Sequence, residues 1–213
     1  CPKKVFLLLA TKKCTLRLIT IIDRSNSSMK IICVARNYAE HAKELKNEIP
    51  DAPVIFIKPD TAFKRKKQPF FLPDFSKDMH YETEIVLRIC KNGKNISEAF
   101  ANNYFDAVTT GIDFTARDLQ QELKKKGWPW EIAKGFDGSA CVGDFLPKSQ
   151  FDDLKNLNFC MYKNKVLTQK GNTGDMIFPF EKIISYASKF FTLLKGDLIF
   201  TGTPVGVGPV SFN

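Results

Sequence analysis

The chain has 213 residues, 44% hydrophobic and 26% charged, a composition that supports one globular domain with a proper core. No apolar run approaches the roughly 18 residues of a membrane-spanning helix, so no membrane partner is expected. The net charge is +9, but six basic residues against Asp23 put +5 in residues 1–28, leaving an unremarkable +4 on 29–213.

Residues 1–28 do not read as part of the domain. Val5 to Ala10 is an apolar run too short for a signal-peptide core, and no cleavage motif follows it. They are expected to be a leader or non-native extension, or else an extension packed on the domain. Met29 to Val34 then starts a first strand. Arg36-Asn37-Tyr38 leads into a short helical turn over 39–45, and Val54–Lys58 is a second strand closed by Pro59. Residues 60–79 read as a loop. Their basic cluster Lys64-Arg65-Lys66-Lys67 is read as solvated, with a phosphate patch as the alternative. No helix-turn-helix, zinc-finger or aromatic RNA-binding pattern accompanies it, so no nucleic-acid partner is expected.

Residues 81–90 form a β-branched and apolar strand ending at the turn Lys91-Asn92-Gly93-Lys94. A weak helix is expected over 96–104 and a strand over Phe105–Asp113. Thr115 and Asp118 predict a capping box for a helix that reaches Lys126 and stops at Gly127. A hairpin pairs 157–162 with 166–169. Phe180, Ile183, Ile184, Ala187 and Phe191 predict an amphipathic helix over 179–190, and Asp197–Phe200 is a strand running into a glycine-rich loop at 201–209. Strands outnumber helices without regular βαβ alternation, which predicts a β-rich α+β fold. The six cysteines contain no C-x-x-C pair and are read as reduced, mostly buried thiols of a cytoplasmic protein.

One stretch organises the chain: His80-Tyr81-Glu82-Thr83-Glu84. Side chains alternate along a strand, so Glu82 and Glu84 share a face, roughly 7 Å apart. If that face is buried, two like charges there are costly without a cation between them. All-oxygen ligands suit a hard divalent ion, Mg²⁺ first, then Mn²⁺ or Ca²⁺. Taken alone, the pair reads more readily as a solvated acidic strand face, since period-2 patterns usually belong to half-exposed sheet. Asp113, at a strand end, can supply a third carboxylate. Lys134 stands in a small and aromatic segment. His41 and Glu44, at i and i+3, can meet on one helix face.

These pieces, in this order, resemble the fumarylacetoacetate hydrolase family. The resemblance is carried by Arg36-Asn37-Tyr38 with His41 and Glu44, by His80 to Glu84, by Gly111 to Gln120, by Lys134, and by Thr201 to Pro209. It runs from Met29 to Pro209 and is closest to the short single-domain acylpyruvate hydrolases and oxaloacetate decarboxylases. It implies a mixed β-sandwich roll over 29–213, usually a homodimer, and Mg²⁺ or Mn²⁺ held at Glu82, Glu84 and Asp113. It also implies catalytic Lys134, a His41–Glu44 pair that activates water, and substrate contacts from Arg36, Arg117, Gln120 and Thr203. Arg117 pairing merely with a neighbouring acid is weighed equally. The implied activity is metal-dependent C–C cleavage of small 2-oxo acids carrying a second carbonyl. Relatives decarboxylate oxaloacetate or isomerise 2-hydroxyhepta-2,4-diene-1,7-dioate, and a non-catalytic basic binding protein is the third reading. The family domain continues beyond the glycine-rich loop, so the chain is expected to be short of its last strands.

Overall fold

The computed structural model describes residues 4–9, 17–22, 29–44, 48–65 and 69–210. β1 (Lys4–Leu9) and β2 (Arg17–Ile22) pair antiparallel. The rest of 1–28, Lys66, Lys67 and residues 211–213 lie outside the described residues. β3 (Ile31–Ala35) turns into α1 (Ala39–Glu44), followed by β4 (Val54–Lys58), β5 (Phe63–Arg65), β6 (Met79–Tyr81) and β7 (Thr83–Ile89). Next come α2 (Glu98–Ala101), β8 (Phe105–Asp113), β9 (Thr115–Ala116), α3 (Arg117–Lys126) and α4 (Glu131–Lys134). β10 (Ala140–Val142), β11 (Leu146–Pro147), β12 (Asn158–Lys163) and β13 (Val166–Asn172) precede α5 (Phe180–Phe190), β14 (Leu198–Phe200) and β15 (Gly208–Pro209).

The main sheet runs β4-β3-β14-β7-β8-β10-β5, with β11 added against β8. It is mixed: β14 lies parallel to β3 and β10 parallel to β5, whereas β7 is antiparallel to both β14 and β8. A smaller sheet, β15-β6-β9, stands beside it. This is the expected β-rich α+β class.

Both faces of the main sheet are covered, which is why its central strands read as nearly unbroken apolar runs. Ile32, Val34, Ile85, Leu87, Ile89 and Ile199 pack with Ile183, Ile184 and Ala187 of α5. Ile31, Cys33, Val86, Leu198 and Phe200 fill the other side with Ala140 and Val142. The amphipathic face read for 179–190 is therefore the face that seals one side of the sheet.

Several expectations change. The 81–90 strand is two strands broken at Glu82, β6 in the small sheet and β7 in the large one. The predicted capping box does not form: Thr115 joins β9, and Ala116 starts α3 with no side-chain cap. Asp118 instead binds the segment before β6, accepting from Ser76 Oγ at 2.7 Å and Lys77 N at 2.9 Å. Gly127 does end α3 in the left-handed conformation, φ 65°. The 60–79 segment is not all loop, because β5 pairs with β10. Lys64 is accordingly buried, and its Nζ donates to Pro69 O at 2.6 Å, so it is not a solvated cation. Of the described thiols, all free, only Cys33 is fully buried; Cys160, on the hairpin, is exposed.

Candidate active site

The break at Glu82 creates the site. Asp113 N donates to Glu82 O at 2.8 Å, and the β7–β8 register sets Glu84 opposite Gly111. Two strand ends thus bring Glu82, Glu84 and Asp113 together, with ligand oxygens all within 4.8 Å of one another. They are 6%, 2% and 1% exposed, so the solvated-face alternative fails.

Three cations answer them. Lys134, at the end of α4, donates to Glu82 Oε2 and Asp113 Oδ2, both at 2.8 Å. Arg117, the first residue of α3, gives Nη2 to Glu82 Oε1 at 2.5 Å and Nη1 to Gln120 Oε1 at 2.7 Å. Lys58, which sequence reasoning missed, is fully buried and sits 2.8 Å from Asp113 Oδ1. Its only signal was a lone cation closing an apolar strand. Burial opposes ionisation of Glu82, but Lys134 and Arg117 hold its carboxyl well below the usual range. Burial likewise opposes the charge on Lys134, and Asp113 and Glu82 nevertheless raise its pKa.

Glu84 is the exception. Among the described residues no cation pairs with it, and its Oε2 accepts Gly202 N–H at 2.7 Å. Burial, then Asp113 and Glu82, push it well above the ordinary range. A buried carboxylate without a cation, facing two others, fits a divalent ion with oxygen ligands. Gly202 is required there. Its φ is +102°, and a Cβ would lie 2.7 Å from Asn37 Cβ. Asn37, given no separate role by sequence reasoning, is fully buried and joins three segments. Its Nδ2 donates to Phe178 O and Thr201 O, and its Oδ1 accepts Phe178 N.

His41 Nδ1 lies 2.9 Å from Glu44 Oε2, and Gly206 N donates to Glu44 Oε1 at 3.2 Å, tying the pair to the glycine-rich loop. With Nδ1 engaged, Nε2 is the ring nitrogen left to serve the cleft. Thr203 Oγ1 is committed to Thr83 O and Gln169 Nε2, so this residue shapes the wall. A single cleft of about 400 Å³, counting its open mouth, is lined by the three carboxylates, Lys134, His41, Arg36, Arg117, Gln120 and Thr203. Phe56, Lys124 and Trp130 line it too, unanticipated because aromatic loops and helix lysines are common everywhere. Among the described residues no helix is long and apolar enough to cross a membrane.

The model of the fumarylacetoacetate (FAA) hydrolase C-terminal domain matches residues 30–212. The chain is 44% identical over 183 residues to the mitochondrial oxaloacetate tautomerase FAHD1 of Bos taurus, covering 86% of this chain and 83% of the relative. It is 43% identical over 182 residues to the mitochondrial oxaloacetate decarboxylase of Dictyostelium discoideum, covering 85% and 84%. Among solved structures, fumarylpyruvate hydrolase from Pseudomonas aeruginosa, in complex with Mn²⁺ and pyruvate, superposes with a TM-score of 0.81 at 33% identity, covering 99% of this chain and 89% of that one. The chain belongs to the fumarylacetoacetate hydrolase family.

Proposed function

We propose that this protein is a divalent-metal-dependent enzyme acting on small 2-oxo acids with a second carbonyl, oxaloacetate foremost, through an enolate. The observation that carries this reading is the buried triad Glu82, Glu84 and Asp113, short of one cation at Glu84 and placed in one cleft with Lys134 and His41. The triad would hold Mg²⁺, or Mn²⁺ as in the fumarylpyruvate hydrolase complex, with Ca²⁺ as a substitute. Bound there, the ion would draw negative charge onto the 2-oxo oxygen as a Lewis acid.

The protein groups divide the remaining work. Lys134, kept charged by Glu82 and Asp113, donates to the developing enolate oxygen. Arg117 and Gln120 grip the substrate carboxylate from the first turn of α3. His41, its ring oriented by Glu44, takes a proton. From C3 of oxaloacetate that gives keto–enol interconversion, the activity named for the 44%-identical relative. From water it gives attack on the distal carbonyl and C–C hydrolysis. The oriented His41–Glu44 pair favours keeping hydrolysis as the second reading, beside decarboxylation. A homodimer is the assembly this reading takes from the family. The free thiols fit a compartment that keeps cysteine reduced, the cytoplasm or, as in the relatives' names, the mitochondrion.

The test is turnover of oxaloacetate and acetylpyruvate with Mg²⁺, Mn²⁺ or chelator, following enol, CO₂ and free acid separately. Metal-dependent loss of the enol signal supports the reading. Absence of any metal-dependent turnover of either substrate sinks it.

A further inference from the structure

Thr83, the buried residue between Glu82 and Glu84, is held by side chains where a strand would otherwise lie. β14 pairs with β7 along residues 86–88 and ends at Phe200, so it stops short of Thr83. Gln169 of β13 accepts Thr83 N–H on Oε1 at 2.9 Å, and Thr203 Oγ1 donates to Thr83 O at 2.9 Å. The two side chains also bond each other, Gln169 Nε2 donating to Thr203 Oγ1 at 2.9 Å. Three hydrogen bonds thus close a ring around the residue that separates two carboxylates of the triad. We propose that Gln169 is a positioning residue of the metal site. Through this ring it sets how Glu82 and Glu84 converge, and hence the affinity for a divalent ion, without touching ion or substrate. The proposal rests on the metal-dependent reading above.

The geometry supports it in three ways. Gln169 is 2% exposed and does not line the cleft, so its amide is spent inside the protein. That amide fits only one way round, because Oε1 must meet the Thr83 donor while Nε2 also donates to Pro204 O at 3.0 Å. A fully satisfied buried network of this kind specifies one arrangement of the segments it joins. Next, the loop that Gln169 holds is the loop that serves the site: Gly202 N–H goes to Glu84 Oε2 and Gly206 N–H to Glu44 Oε1. One amide therefore braces Glu84 from its backbone side and, through the loop, from its carboxylate side. Finally, the hairpin approaches this region with no slack. Met161 Sδ of β12 accepts Thr83 Oγ1, and a Cβ on Gly206, at φ +94°, would collide with Thr168 O beside Gln169.

Three measurements on the full chain separate positioning from bulk stability: calorimetric titration with Mn²⁺, the electron paramagnetic resonance spectrum of the bound Mn²⁺, and melting in chelator. Gln169→Met keeps length and apolar volume but opens the ring. It should weaken Mn²⁺ about tenfold, the lower end of the usual scale for groups that support metal ligands, and change the spectrum. Thr203→Val, which keeps the shape and loses the hydroxyl, should do the same. The double variant should bind no more weakly than the weaker single, since either change opens the same ring. Ile184→Val, in the buried face of α5 and outside the ring, should lower the melting temperature with affinity and spectrum unchanged. Gln169→Met melting lower yet binding Mn²⁺ with parent affinity and spectrum overturns the proposal. So do additive losses in the double variant, or an equal loss of affinity in Ile184→Val. Should Gln169→Met fail to fold, parent-like binding by Thr203→Val overturns it. In each of these cases the metal-dependent reading stands. No Mn²⁺ binding by the unmodified chain overturns that reading and the positioning role with it.

Discussion

Replacing Lys58 with Met should destabilise the metal-free protein far more than a lysine usually does. Lys58 is fully buried, with Nζ 2.8 Å from Asp113 Oδ1 and 3.0 Å from Ser139 Oγ, and it also donates to the Lys134 carbonyl. Met preserves the length and apolar stem, so little cavity is created; what disappears is one positive charge and its donors. Among the described residues, the cations still paired with the three carboxylates are then Lys134 and Arg117. Removing one partner of a buried ion pair costs about 3–5 kcal/mol, because the other charge stays buried. For a chain of this size each kcal/mol moves the melting temperature by about 2–4 °C, so a fall of about 6–20 °C is expected. The assay is differential scanning calorimetry in chelator, since a bound ion would mask the effect by mass action. Adding Asp113→Asn to Lys58→Met should recover part of the loss, with a coupling above about 1 kcal/mol in the double-mutant cycle. A melting temperature within about 2 °C of the parent would show that Lys58 does not balance Asp113, and the charge argument for the triad would fall with it.

Glu84→Gln should act with opposite signs on two quantities. Mg²⁺ affinity should fall more than about tenfold by titration calorimetry, while the metal-free protein should melt higher, since a buried carboxylate without a cation is removed. Because the folded state holds the Glu84 proton more tightly than the unfolded chain does, that stability gain should grow as pH rises above the ordinary glutamate range; a gain that shrinks with pH refutes the assignment. His41→Ala should slow any hydrolysis or enol conversion by about 10²–10⁴-fold with Mg²⁺ affinity nearly unchanged, and Glu44→Gln should cost less. Parent-like rates in His41→Ala would return His41 to an ordinary buried histidine. Gly202→Ala should lower stability by about 1–3 kcal/mol and weaken metal binding together, because a strained φ of +102° and the contact with Asn37 shift the loop that holds Glu84. A melting curve matching the parent would contradict the close approach.

What the sequence determined by itself was local and periodic. The i, i+3 spacing was enough to bring His41 to Glu44, because one helical turn sets that distance. The Gly127 stop and the apolar face of 179–190 follow from helix geometry in the same way. Strand periodicity placed Glu82 and Glu84 on one face, and the strand end marked Asp113. Periodicity does not report burial, however, so the choice between a solvated face and a charged interior waited for the sheet to close over both sides. The break at Glu82 was decided by two sheets meeting, and the pairing of Thr115 in β9 overrode its capping pattern. Lys58 meets Asp113, 55 residues on, only because α4, β4 and β8 are brought together. Asn37 ties the turn after β3 to Phe178 and Thr201, residues 141 and 164 positions away, and no local pattern announces those bonds. Those choices depend on long-range contacts and on the cost of burying charge, quantities that belong to the folded chain and not to any window of it.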